Sequence, residues 1–324
     1  MKKTTILLLR GGKEVPPLAL LDGLRETENI VVGDSPHTFR TAAPEAEVIF
    51  NWSGGLPLFR DVFLMCPKLR WVHSRSAGLE RSLFPELLAK EIPLTNGSGV
   101  FSPSLGEFTL AAILYFAKDL RRMIRNQMAG AWSQFDVQMI SGKTLGIVGY
   151  GDIGSAIATR CRAMGMKILA LKRHLPANPK SDPLVDQYFG PKQLGEMLAL
   201  CDYVAVAAPL TPETRGMVGA VEFAAMKKTA VVINVGRGPI IDEKAMIAAL
   251  SEGRIRGAAL DVFDEEPLPE GHPFYRMENV LLSPHCADHT AEWLDDAMRF
   301  FVAQFERYRL GMPLLNVVDK KLGY

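Results

Sequence analysis

The stretch Thr144-Leu145-Gly146-Ile147-Val148-Gly149-Tyr150-Gly151-Asp152-Ile153-Gly154 decides how this chain folds. A short apolar run, read as a buried strand at 145–148, ends in a G-x-G-x-x-G spacing, and residues 153–164 then carry the apolar period of a helix. The three glycines have separate tasks. Gly149 permits a tight turn, Gly151 lets backbone N–H groups approach a pyrophosphate at the positive end of the helix, and Gly154 lets helix and strand pack closely. With Asp152 and Ile153 opening the helix, the motif reads as a dinucleotide-binding turn.

Working outward, apolar strands are expected at 167–171, 203–207, 231–235, 258–262 and 280–283, with a helix near 193–200. This is the pattern of a doubly wound parallel sheet. Upstream, short aliphatic runs at 5–9, 30–32, 48–50, 70–73 and 92–95 alternate with helix-periodic segments such as 17–24 and 82–89, giving a second parallel sheet. Between the two series, Ser102-Pro103 offers an N-cap followed by a first-turn proline. The helix it opens, 102–125, is apolar on every face over 108–116 and must be covered by both domains or by a second subunit. A final amphipathic helix, 291–309, stops at Gly311-Met312-Pro313. The expected domains are 1–100 plus 291–324, and 101–290 opened by the linking helix. The proline-rich residues 176–183 read as a surface loop.

Composition narrows the partners. The 324 residues hold 37 Lys+Arg against 36 Asp+Glu, a formal net charge of +1, without the basic excess of a nucleic-acid or anionic-membrane binder. The longest lipid-like run, 108–117, is far shorter than the roughly 20 residues of a membrane span. Met1-Lys2-Lys3 and the apolar residues 6–9 imitate a secretory signal, but Arg10 cuts the run short. Cys66, Cys161, Cys201 and Cys286 form no C-x-x-C pair, which suits free thiols in a reducing cytoplasm and argues against a metal site.

About 20 residues past the glycines, where an acid normally binds the ribose hydroxyls of NAD, the strand ends in Lys172-Arg173-His174. Lys172 and Arg173 would attract a 2′-phosphate, so NADP(H) is expected in preference to NAD(H). The plainer alternative is a solvated basic turn.

Three further segments carry chemistry: Asn234-Val235-Gly236-Arg237-Gly238, Asp261-Val262-Phe263-Asp264-Glu265-Glu266-Pro267, and Ser283-Pro284-His285. Each closes a strand of the same parallel sheet, so all three meet at its carboxyl edge, where ligands bind. Together with the glycine motif they resemble the D-isomer-specific 2-hydroxyacid dehydrogenase family, and the resemblance extends through blocks at 71–80, 95–107, 142–154, 208–214, 234–243, 258–269, 283–285 and 311–319.

The resemblance implies a Rossmann dinucleotide-binding domain inserted into a flavodoxin-like substrate domain. It makes Arg237 the guanidinium that grips the substrate carboxylate and 2-oxo group, His285 the acid-base residue, and Glu266 the carboxylate that favours charged His285. Asp264 and Glu265 fall to the solvated loop. Ser76-Ala77-Gly78 matches the loop whose N–H groups hold the substrate carboxylate, so the resemblance puts substrate in a closing cleft between domains. Asp261 matches the acid at the nicotinamide carboxamide; Val235 and Pro209 would line the same side, beside Arg237 and His285. The family commonly continues past the histidine with Ala and then Gly, whereas here the run is Cys286-Ala287-Asp288-His289. Asp288 would add negative charge that favours charged His285, or would touch substrate; Cys286 is expected to pack. Trp52, Arg75, Phe101 and Trp293 are candidates for shaping the pocket.

The expected activity is NADPH-preferring reduction of small 2-oxo acids, such as glyoxylate or hydroxypyruvate, to D-2-hydroxy acids. The alternatives are an NAD-linked D-2-hydroxyacid or 3-phosphoglycerate-type dehydrogenase and, from another class, a dinucleotide-sensing corepressor-like binding protein. Helix 102–125 resembles the family's dimer-forming segment, so a homodimer is expected, with Trp132 reaching the neighbouring subunit.

Overall fold

The computed structural model describes residues 3–12, 14–80 and 82–323. Met1 and Lys2, the start of the signal-like segment, lie outside the described residues. The chain forms two compact units, one built from the residues up to Phe101 and from Thr290 on, the other from Ser102–His289.

The first unit runs β1 (Thr5–Leu9), α1 (Asp22–Thr27), β2 (Asn29–Gly33), α2 (Pro36–Phe39), β3 (Ala46–Asn51), α3 (Leu56–Leu64), β4 (Trp71–Ser74), α4 (Pro85–Ala89) and β5 (Leu94–Thr95). Its parallel strands stand in the order β2-β1-β3-β4-β5, the flavodoxin-like order. Alternate residues of each strand face opposite layers. Leu7, Leu9, Ile49 and Val72 pack on Phe59, Val62 and Phe63 of α3 and on Leu87 of α4. Ile6, Leu8, Val48, Phe50 and Trp71 pack on Leu24 of α1 and on Met298, Phe301 and Phe305 of the chain's final helix, Trp293–Arg309.

The second unit opens with α5 (Ser102–Lys118) and α6 (Leu120–Met128), then β6 (Thr144–Val148), α7 (Asp152–Ala163), β7 (Lys167–Leu171), β8 (Gln187–Phe189), α8 (Leu194–Leu200), β9 (Tyr203–Val206), α9 (Ala220–Ala225), β10 (Val231–Asn234), α10 (Glu243–Ser251), β11 (Gly257–Leu260) and β12 (Val280–Leu282). The order β12-β11-β10-β9-β6-β7-β8 is the Rossmann arrangement, all parallel, with one strand more than six. One face is covered by α5 and α7, through Ile113, Phe116, Ile157 and Cys161, and the other by α8, α9 and α10, through Met197, Leu198, Phe223 and Met246.

One reading changes: the single helix expected over 102–125 breaks at Asp119, whose φ of 50° is left-handed. Within this one chain Ala111 on α5 is exposed, on a helix expected to be covered by both domains or by a second subunit. The short edge strand β8 and helices α3, α9 and α10 had no counterpart in the sequence reading. No helix among the described residues is long and apolar enough to cross a membrane.

Candidate active site

Geometry separates the glycines by task. Gly149 has φ 93°, and a Cβ there would strike the Ala208 backbone. At Gly154 a Cβ would stand 2.7 Å from the Gly149 carbonyl oxygen and 3.2 Å from Ile147, so only glycine allows α7 to lie this close to β6. Gly151, the N-cap of α7, faces open space, and the N–H groups of the helix's first turn have no carbonyl four residues back to bond. Such a terminus fits a pyrophosphate. Asp152 and Ile153 open α7 there, Asp152 exposed and Ile153 half-buried.

At the end of β7, Lys172 is exposed, with Nζ 5.9 Å from the Tyr150 ring centroid. Tyr150 donates to Asp182 (2.7 Å). Arg173 pairs with Glu213 at 3.2 Å. The basic turn therefore has an acid from the segment after β9 against it.

The three segments at the carboxyl edge are tied into one cluster. At the end of β10, buried Asn234 accepts from the Gly236 N–H and donates to the Arg237 carbonyl, each at 3.1 Å, which fixes the turn that presents Arg237. The Arg237 guanidinium donates to the Gly236 carbonyl at 2.8 Å. Next to it, Gly238 lies so close to Phe263 that a Cβ would overlap the Phe263 carbonyl. That loop holds Glu266, whose Oε1 accepts from the Phe263 N–H at 3.0 Å and whose Oε2 lies 2.7 Å from His285 Nδ1. A carboxylate can only accept, so Nδ1 carries the hydrogen and Nε2 is left to take up or release a proton. The His285 side chain is 42% exposed, open enough to meet a ligand.

His285 itself has φ 52°, and its turn is held from below by Asp261. One buried oxygen, Asp261 Oδ1, accepts from Ser283 Oγ (2.5 Å), the Cys286 N–H (3.0 Å) and the Ala287 N–H (3.0 Å). Sequence reasoning gave Asp261 a cofactor contact and missed this organising role, as it missed Asn234 and Gly238.

The model of the D-isomer specific 2-hydroxyacid dehydrogenase NAD binding domain matches residues 110–287. The chain belongs to the D-isomer specific 2-hydroxyacid dehydrogenase family. Among its relatives, the D-3-phosphoglycerate dehydrogenase of Methanocaldococcus jannaschii is 31% identical over 307 residues, which are 93% of this chain; the chain spans 57% of that protein's length. The glyoxylate reductase of Korarchaeum cryptofilum is 35% identical over 272 residues, 82% of this chain and 81% of that one. A crystal structure of a D-isomer specific 2-hydroxyacid dehydrogenase from Xanthobacter autotrophicus Py2, in complex with NADPH and MES, superposes with a TM-score of 0.82 at 29% identity, covering 99% of this chain and 100% of that one. Family membership makes the chain an oxidoreductase with a nicotinamide-dinucleotide-binding domain.

The remaining dehydrogenase residues fall as follows. Val235 is buried beside Val206, Pro209 is exposed, and Asp264 and Glu265 are exposed on the loop before Glu266. Ser76-Ala77-Gly78 follows β4 in the first unit, with the Ser76 carbonyl accepting from Gly97 N–H (3.3 Å) and the Ala77 carbonyl from Asn96 Nδ2 (2.7 Å). Among the described residues the N–H groups of Ala77 and Gly78 have no partner. Cys286 corrects its expectation: it is exposed, not packed, because the left-handed backbone of His285 replaces the strand geometry that would have turned it inward. The Asp288 Oδ1 is buried without a hydrogen bond among the described residues, and burial pushes its carboxyl upward against the pull of His289. Among the described residues no group of His, Cys, Asp and Glu could hold a metal.

Proposed function

We propose that this dehydrogenase reduces small 2-oxo acids such as glyoxylate or hydroxypyruvate to D-2-hydroxy acids, with NADPH preferred over NADH. The 2.7 Å contact between His285 Nδ1 and Glu266 carries the reading, because it leaves Nε2 as a proton donor whose positive form has a fixed carboxylate partner. The glyoxylate reductase and the NADPH complex among its relatives support it.

The turn of Gly149 and Gly151 and the first N–H groups of α7, with Asp152, Ile153 and Gly154, hold the pyrophosphate. Pro209, Val235 and Asp261 flank the nicotinamide. When bound, the dinucleotide supplies the hydride. Arg237 grips the substrate carboxylate and polarises the 2-oxo group with its planar fork. The Ala77 and Gly78 N–H groups, with Ser76, offer an anion cradle on the first unit. His285 Nε2 gives its proton to the carbonyl oxygen as the carbonyl carbon is reduced, and Glu266 stabilises the imidazolium before transfer. Lys172 and Arg173 favour a 2′-phosphate over a bare ribose. The four free thiols suit a reducing cytoplasm.

Oxidation of NADPH and NADH with a panel of 2-oxo acids tests the reading against His285→Ala. Turnover should be fastest with a small 2-oxo acid and NADPH, and Lys172→Asp should move the KM ratio toward NADH. A wild-type rate no faster than His285→Ala on every acid would leave a binding role in its place, and an unmoved ratio would end the 2′-phosphate argument.

A homodimer completes the proposal. Helix α6 has no buried residue, and Met123, Ile124, Met128, Trp132 and Met139 are exposed, Trp132 at 95%. Isolated apolar residues are ordinary on surfaces, but a run of them over 123–139 supports an interface there. Light scattering at micromolar concentration should give twice the chain mass.

A further inference from the structure

Arg75 follows β4 directly, before Ser76, and its side chain is only 10% exposed. The guanidinium lies 5.0 Å from the ring centroid of Trp52 and 5.0 Å from that of Trp293, which opens the final helix. Nε donates to the Trp52 carbonyl at 2.8 Å, and Glu14 stands 3.7 Å from Nη2. Trp52 in turn donates its indole N–H to the Glu14 carbonyl at 3.1 Å. Behind them, a Cβ on Gly97 would overlap the Arg75 carbonyl. The guanidinium thus fastens the ends of β3 and β4, the loop after β1 and the start of the final helix to one another.

Burying a charge costs free energy that an apolar side chain of similar size would not, and two indoles would accept such a side chain. What the apolar replacement lacks is charge, and this charge belongs to the residue next to a loop whose Ala77 and Gly78 N–H groups bond no other described residue. We propose that Arg75 is a positioning residue for substrate capture: it clamps the segments around Ser76-Ala77-Gly78 and lends the adjoining loop a buried positive charge, drawing in the 2-oxo acid carboxylate. Glu14, more exposed than Arg75, partly offsets that charge and so tunes it. The inference rests on the assignment of this loop to the substrate carboxylate.

Steady-state kinetics with glyoxylate varied and NADPH saturating, alongside melting temperatures, decide it. Arg75→Met should raise the glyoxylate KM about tenfold, with kcat changed less than about threefold and the NADPH KM unmoved. Arg75→Lys, which keeps charge without the planar fork, should recover part of the loss. Glu14→Gln should shift in the opposite sense, lowering the glyoxylate KM about twofold at low salt. An unchanged KM in Arg75→Met, or a raised KM in Glu14→Gln, would overturn the inference. Should Arg75→Met not fold, Arg75→Lys and Glu14→Gln carry the decision, and wild-type KM in both overturns it. Those outcomes leave wild-type turnover intact; absence of turnover with every acid instead removes the proposed function, and this inference with it.

Discussion

Acid should weaken the first unit through one imidazole. His73 on β4 is fully buried, and burial pushes it down to about 3 from an ordinary 6.5. Nδ1 meets Thr95 Oγ1 at 2.8 Å, Nε2 has no partner among the described residues, and the rings of Phe50, Trp71, Phe300 and Phe301 stand 5.2 to 5.9 Å away. A proton on Nε2 would therefore meet no hydrogen-bond acceptor among the described residues. An unfolded His73 binds one below pH 6.5 while the folded one does not, so stability present above that pH falls as pH drops and is fully lost near pH 3. The slope approaches 1.4 kcal/mol per pH unit, about 2.5 kcal/mol between pH 7 and 4.5, against a typical total of roughly 5–15 kcal/mol. Urea denaturation followed by tryptophan emission isolates the event, since Trp52 and Trp71 are buried in the first unit whereas Trp132 is already in water. His73→Phe, suited to the surrounding rings, should flatten the dependence by about that amount. If the slope of His73→Phe equals that of the natural protein, the imidazole is not the acid-labile group and the reasoning fails.

Replacing Glu266 by Gln keeps a hydrogen-bond acceptor but removes the charge facing His285, so kcat/KM should fall about 100-fold with the melting temperature little changed; a loss under about threefold would remove the carboxylate from the mechanism. Gly238→Ala drives a methyl into the Phe263 carbonyl, so it should cost about 2 kcal/mol or more in chemical denaturation and lower kcat/KM, and a variant as stable as the natural protein would contradict the close approach.

Strands were easier to read than turns. β6, β7, β9 and β10 are buried on both faces of a parallel sheet and therefore write themselves as unbroken aliphatic runs. β8 is three residues at an edge, Gln187-Tyr188-Phe189, too short and too polar for that signature. Helix α10 carried a legible signal that went unread, Asp242 capping the Ala245 N–H at 3.0 Å. The break at Asp119 had none, because a left-handed aspartate between two helical stretches looks like any helical surface position. At the site, strand ends alone brought Arg237, Glu266 and His285 to one edge, and the family resemblance supplied their roles. What no pattern encodes is the turn chemistry beneath them: Asp261 gathering three donors on one oxygen, or Gly238 set against a carbonyl that lies elsewhere in the sequence.

Because the final helix packs on the first unit's sheet, a nascent chain cannot finish its earliest strands until its last segment leaves the ribosome. At roughly 5–20 residues per second, making the intervening Ser102–His289 takes on the order of 10–40 s, during which Ile6, Leu8, Val48, Phe50 and Trp71 await their cover. A chaperone that shields aliphatic surface would find its binding window there, and ribosome-bound chains halted at residue 289 should be cut in β1 to β4 by a protease that spares the released protein.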